Sequence, residues 1–70
     1  MTHAEILADR LSRCRLRRGL STRQIEERIG VAFSLIHRYE RGSSAPSIDS
    51  LVKLAKFYGV SIDWLTGLRE

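Results

Sequence analysis

Seventy residues bound the chain to a single domain, residues 1–70, and a chain this short buries only about 60% of the surface its unfolded form exposes, so its stability margin is thin. Cys14 is the only cysteine, which rules out an intrachain disulfide and, with His3 and His37 far from it in the sequence, a structural zinc site; a lone thiol suits a reducing compartment. The formal charge of +4, from ten arginines and two lysines against eight acids, points to an anionic partner, either nucleic acid or a membrane surface.

The first predicted helix covers 3–18. Thr2 with Glu5 fits a capping box, in which side chains and backbone N–H groups satisfy each other reciprocally, and Leu7, Leu11 and Cys14 repeat at helical spacing up to Gly19. Its N-terminal stretch, Met1 to Asp9, holds only the short apolar run Ile6-Leu7-Ala8, so no signal peptide is expected. A second helix is predicted over 22–29, opened by a second capping box, Ser21 with Gln24, and closed by Gly30; Ile25 and Ile29 share one face. The third, 33–41, lacks a conventional cap because Ala32 stands where Ser or Thr is favoured, and it ends at Gly42. Gly42-Ser43-Ser44-Ala45-Pro46 reads as a surface loop. A fourth helix, 48–58, follows the cap Ser47 with Ile48, Leu51, Leu54 and Ala55 as its stripe, and a fifth, 62–66, lies between Ser61 and Gly67. No strand pattern is present, and no apolar run approaches the roughly 18 residues of a membrane span. The expectation is an all-α, soluble, cytoplasmic bundle of five helices.

The charge is unevenly placed: residues 1–19 carry +3, residues 20–42 carry +1 and residues 43–70 balance. On the third helix, Ile36 and Tyr39 point one way, while Phe33, Ser34, His37, Arg38 and Arg41 occupy the opposite arc without an acid among them. That set suits the major groove of DNA, where arginine donates to guanine, Ser and His bond base edges, and an apolar group meets a thymine methyl. The short second helix, joined to the third by a tight turn at Gly30-Val31, completes a helix-turn-helix.

Leu20-Ser21-Thr22-Arg23-Gln24-Ile25, Ile29-Gly30-Val31, Ile36, Glu40 and Gly42 resemble the Cro and phage-repressor type of helix-turn-helix domain. The similarity continues through Pro46-Ser47, Leu51, Leu54-Ala55 and Gly59-Val60-Ser61-Ile62-Asp63-Trp64-Leu65, and so covers nearly the whole chain from Leu7. The resemblance implies a lambda-repressor-like five-helix bundle that binds a near-palindromic double-stranded operator as a homodimer. It implies base contacts at Phe33, Ser34 and Arg38, to which the outer arc adds His37. It also implies phosphate contacts at the start of the second helix, Ser21, Thr22 and the adjoining Arg23, and across Arg41, Ser43 and Ser44, with a partly buried ion pair between Arg15 and Glu40. Three positions depart from the family pattern. Thr22 stands where glutamine is usual, Glu26 where alanine is usual, and the loop at Ser43–Pro46 lacks a basic residue. Glu26 is expected to turn its carboxylate outward toward an arginine, since an unpaired buried charge is costly.

Blander assignments stand beside these. The arginines of the first helix, Arg15 excepted, read as a solvated face, Cys14 as a small packed hydrophobe, and Trp64 and Tyr58 as core. Phe33 has two readings, a contact with a thymine methyl or a sugar, or packing against the second helix, and His37 is either a DNA contact or an ordinary surface histidine. Phe57 and Ile62 fall outside the main stripes and are candidates for a dimer patch. No catalytic spacing, phosphate loop, cofactor, metal or small-molecule ligand is indicated. The leading function is sequence-specific transcriptional regulation, repression in particular. A protein-interaction module of the same fold, such as an antitoxin or accessory subunit, is the alternative, and membrane binding through the first helix is a weaker third.

Overall fold

Residues 1–69 are described by the computed structural model, and they form α1 (His3–Arg18), α2 (Thr22–Ile29), α3 (Phe33–Arg41), α4 (Ile48–Tyr58) and α5 (Ile62–Thr66). These are the helices, and the bounds, that capping and periodicity predict. Thr2 Oγ1 accepts from the Glu5 N–H at 3.1 Å while the Glu5 carboxylate accepts from the Thr2 N–H at 2.7 Å. Ser21 and Gln24 repeat the reciprocal pair at 3.1 and 2.8 Å. Ser47 and Ser61 cap α4 and α5 through the N–H groups of Ser50 and Trp64. Only α3 starts without a side-chain cap, as Ala32 dictates.

One side chain from each helix is sealed almost completely from water: Leu11, Ile25, Ile36, Leu54 and Leu65. Burying each stabilises the fold by about 1.5–3 kcal/mol, which explains how five short helices hold together around one centre. Cys14, Val31, Tyr39, Ala55 and Tyr58 complete the buried cluster. Val31 anchors the turn between α2 and α3, where Gly30 takes the left-handed conformation (φ 74°) that reverses the chain.

Three expectations are corrected. Ile48 is 80% exposed, because it is the first residue of α4 and a helical side chain leans toward the N-terminus, here beyond the helix end; the packed stripe starts at Leu51. Phe57 and Ile62 are not outside the core but half-buried and packed against it, beside the α4–α5 turn. Arg10, expected on a solvated face, reaches across to α5 instead. Its guanidinium donates to the Trp64 and Arg69 carbonyls and lies 4.8 Å from the centre of the Trp64 ring. The His3 ring bonds the Thr66 carbonyl nearby. A five-residue helix is too short to persist alone, so these ties to α1 set its position. No helix of the described residues is long and apolar enough to cross a membrane.

Candidate nucleic-acid interface

Alternation on α3 puts Ile36 and Tyr39 into the core and turns Ser34, His37, Arg38 and Arg41 to solvent. Neither Arg38 nor Arg41 forms an ion pair among the described residues, so two guanidiniums stand on this face with their donors uncommitted. With no side-chain cap at Ala32, the first N–H groups of α3 are also open to an external acceptor.

Phe33 is half-buried rather than fully displayed. The guanidinium of Arg23 on α2 lies 4.1 Å above its ring, and the His37 ring meets it edge-on, 6.4 Å away at 81°. His37 Nε2 in turn sits 3.1 Å from Thr22 Oγ1. Two residues of α2 therefore brace two residues of the outer face of α3, in the chain Arg23, Phe33, His37, Thr22.

Behind the face, Arg15 of α1 grips Glu40 of α3. Arg15 Nε and Nη2 donate to the two carboxylate oxygens at 2.8 Å each, and Nη1 donates to the Leu20 carbonyl at 2.9 Å. Glu40's hydrogen bonds hold the Arg15 guanidinium above its ordinary pKa despite partial burial, so it stays charged. The contact fixes both the rotation of α3 and the link into α2.

At the start of α2, Ser21 Oγ accepts from the Gln24 N–H. The first N–H groups of α2, those of Thr22 and Arg23, have no intrahelical acceptor and suit a phosphate.

A family model described as Helix-turn-helix matches residues 11–65. The chain belongs to the helix-turn-helix family. An uncharacterized HTH-type transcriptional regulator of Bacillus subtilis, YobD, is 41% identical over 61 residues, 87% of this chain and 54% of the relative. The HTH-type transcriptional regulator ImmR of the same organism is 33% identical over 64 residues, covering 91% and 50%. The cryptic phage CTXphi transcriptional repressor RstR of Vibrio cholerae is 40% identical over 48 residues, covering 69% and 43%. The chain thus spans about half the length of the curated relatives it matches. No solved structure matches it.

In this helix-turn-helix the departures from the family pattern have structural consequences. Thr22 is only 6% exposed, so its side chain faces His37 and not the solvent where a phosphate would lie; its backbone N–H, which has no acceptor within the helix, is the group it can offer instead. Ser43, although exposed, is tied to the end of α3. Its N–H and hydroxyl both donate to the Arg38 carbonyl, at 3.1 and 3.3 Å, and close the C-terminus of α3. Ser44 is half-buried and lines a cleft of about 230 Å³ with Ala4, Leu7 and Tyr39. Glu26 is half-buried and pairs with no arginine among the described residues, contrary to expectation. Two contributors do not follow from local spacing: Arg10, whose partners Trp64 and Arg69 are more than fifty residues away, and Gln24. The Gln24 side-chain oxygen is committed to the Ser21 N–H at 2.8 Å, which leaves its amide N–H groups exposed beside the start of α2.

Proposed function

We propose that the chain is the DNA-reading domain of a transcriptional regulator, acting as a repressor, which lays α3 in the major groove of a near-palindromic operator as a homodimer. The observation that carries this role is the outer face of α3, where Ser34, His37, Arg38 and Arg41 stand together, exposed, with no acid among them. Phe33, Ser34, His37 and Arg38 read base edges. Ser21, the Thr22 N–H, Arg23 and Arg41 hold phosphates, together with the Ser43–Ser44 loop once Ser43 releases the Arg38 carbonyl. The Arg15–Glu40 clamp supports the reader from behind. Phe57 and Ile62, flanking the α4–α5 turn, retain apolar surface that a second copy covers on DNA.

Selection of bound sequences from a random duplex pool tests this, followed by affinity measurements on the winner at two salt concentrations. The expected result is a near-palindrome whose half-sites lie ~10 base pairs apart. Arg38→Ala is expected to cost about 1–3 kcal/mol and to relax the choice at one base pair per half-site. Sedimentation of the chain with its operator should show two copies per duplex. Binding that is weak, indifferent to sequence and abolished by salt would reduce the interface to its net charge. A protein partner would then be the object of search.

A further inference from the structure

Thr22 and His37 bond each other across the α2–α3 interface, and the hydrogens available there decide what His37 offers to DNA. We propose that Thr22 is a positioning residue: its hydroxyl donates to His37 Nε2, holds the neutral ring in the form protonated at Nδ1, and makes His37 a donor that selects base edges presenting an acceptor. This rests on α3 being the base-reading helix.

A threonine hydroxyl carries one proton and two lone pairs, and a neutral imidazole carries one N–H and one acceptor nitrogen. Thr22 Oγ1 and His37 Nε2 are 3.1 Å apart, and the Thr22 hydroxyl has no other partner among the described residues. If Nε2–H donated to Oγ1, the hydroxyl proton of a residue only 6% exposed would be left without an acceptor. An unsatisfied buried donor outweighs the small intrinsic preference of histidine for its Nε2–H form. The hydroxyl therefore donates, Nε2 accepts, and the ring proton resides on Nδ1. When the ring is protonated, Nε2–H donates to Oγ1 and Nδ1 keeps its hydrogen. The nitrogen without a partner in the chain is thus a donor in both charge states.

The ring is braced on its other side as well. Phe33 and His37 form a T-shaped ring pair, and the Arg23 guanidinium stacks on Phe33. A fixed donor discriminates in the major groove. Guanine offers O6 and N7 as acceptors, whereas cytosine offers an N4 donor that faces His37 donor to donor. The half-site position read by His37 accordingly excludes cytosine and takes a base that presents an acceptor: guanine, adenine through N7, or thymine through O4.

The test has two arms. The chain is labelled with nitrogen-15, and long-range proton–nitrogen correlations of the His37 ring are recorded without DNA, about two pH units above the ordinary imidazole value of ~6.5. The expected result is a proton on Nδ1 in the unaltered chain and in Thr22→Ser, and on Nε2 in Thr22→Val, each variant being first shown to be folded by circular dichroism. A proton on Nε2 in the unaltered chain overturns the proposal. In the second arm, the operator position that His37→Ala relaxes is identified by selection. A base presenting an acceptor (guanine, adenine or thymine) is expected there, with discrimination against cytosine falling about fivefold in Thr22→Val, the size of one hydrogen bond, and restored in Thr22→Ser. Cytosine at that position overturns the proposal too. A pool with no enriched sequence overturns base reading by α3 itself, and this failure is distinguishable because the ring measurement needs no DNA.

Discussion

Arg15 and Glu40 face each other across the α1–α3 contact in a two-pronged pair, both bonds 2.8 Å long, with side chains only 17% and 8% exposed. Taking one partner away leaves the other charge half-sealed from water. Glu40→Ala or Arg15→Ala is expected to cost about 3–5 kcal/mol, whereas replacing both by apolar residues of similar volume should recover most of that loss. Urea unfolding of the two single variants and the double variant decides it. A single-variant loss below about 1 kcal/mol would mean the pair behaves as an exposed one.

Two glycines with similar backbones should respond differently to a methyl group. Gly30 (φ 74°) has open space around a would-be Cβ, so Gly30→Ala pays only for the left-handed backbone, about 1 kcal/mol. At Gly67 (φ 80°) the same atom would lie 2.8 Å from Ile6 Cδ1 and 3.2 Å from Cγ2. Gly67→Ala must therefore also displace Ile6 and should melt lower than Gly30→Ala. Equal melting temperatures would show that Ile6 moves aside without cost.

Alkali should destabilise the fold from within its core. Burial pushes the Cys14 thiol above its ordinary value of 9.0, against the opposing pull of Arg17 and Arg18. Burial likewise pushes the Tyr58 phenol well above 10.0, with Glu40 and Cys14 adding to the rise. Both groups bind their protons more tightly folded than unfolded, so their contribution is intact below about pH 9 and declines as pH rises through 9 and then 10. Unfolding curves across this range report it. Cys14→Ala should remove the first part of the decline, and a thiol reagent should label Cys14 no faster than the chain opens. Labelling at the rate of a free thiol would contradict its burial.

Acid acts at the other end of the scale through Glu5. Hydrogen bonds from Thr2, first its backbone N–H and then its hydroxyl, hold the Glu5 carboxyl below its ordinary value of 4.5. The folded form prefers the charged state, so this contribution is complete above pH 4.5 and is lost as pH falls through the lower folded value. Following the Glu5 carboxyl by carbon-13 chemical shift should show a midpoint under 4.5, and Thr2→Ala should move it back up. A midpoint at 4.5 in the unaltered chain would mean that the box does not form in solution.

Local chemistry was enough for much of this molecule. Whether a stretch is helical depends on side chains three or four residues apart, so Thr2 with Glu5, Ser21 with Gln24, the caps Ser47 and Ser61 and the closing glycines set every helix limit but the uncapped start of α3. Burial was legible where a position lay mid-helix on a clear stripe, as for Leu11, Ile25, Ile36 and Leu54. It failed at Ile48, where the helix end lets the side chain project past its neighbours, and at Phe57 and Ile62, where the α4–α5 turn folds the stripe edge onto the core.

The sequence by itself determined the helices, the basic half of the chain and the acid-free outer face of α3, because each follows from composition or from spacing within one helix. Only the tertiary structure decided which members of that face stand alone and which are braced. Arg38 and Arg41 are uncommitted, Phe33 lies under Arg23, and the Thr22 hydroxyl is spent on His37. It likewise decided that Arg10 ties down α5. Such contacts join residues distant in the chain, and they depend on how helices cross, which the packing of the whole core sets and no local pattern encodes.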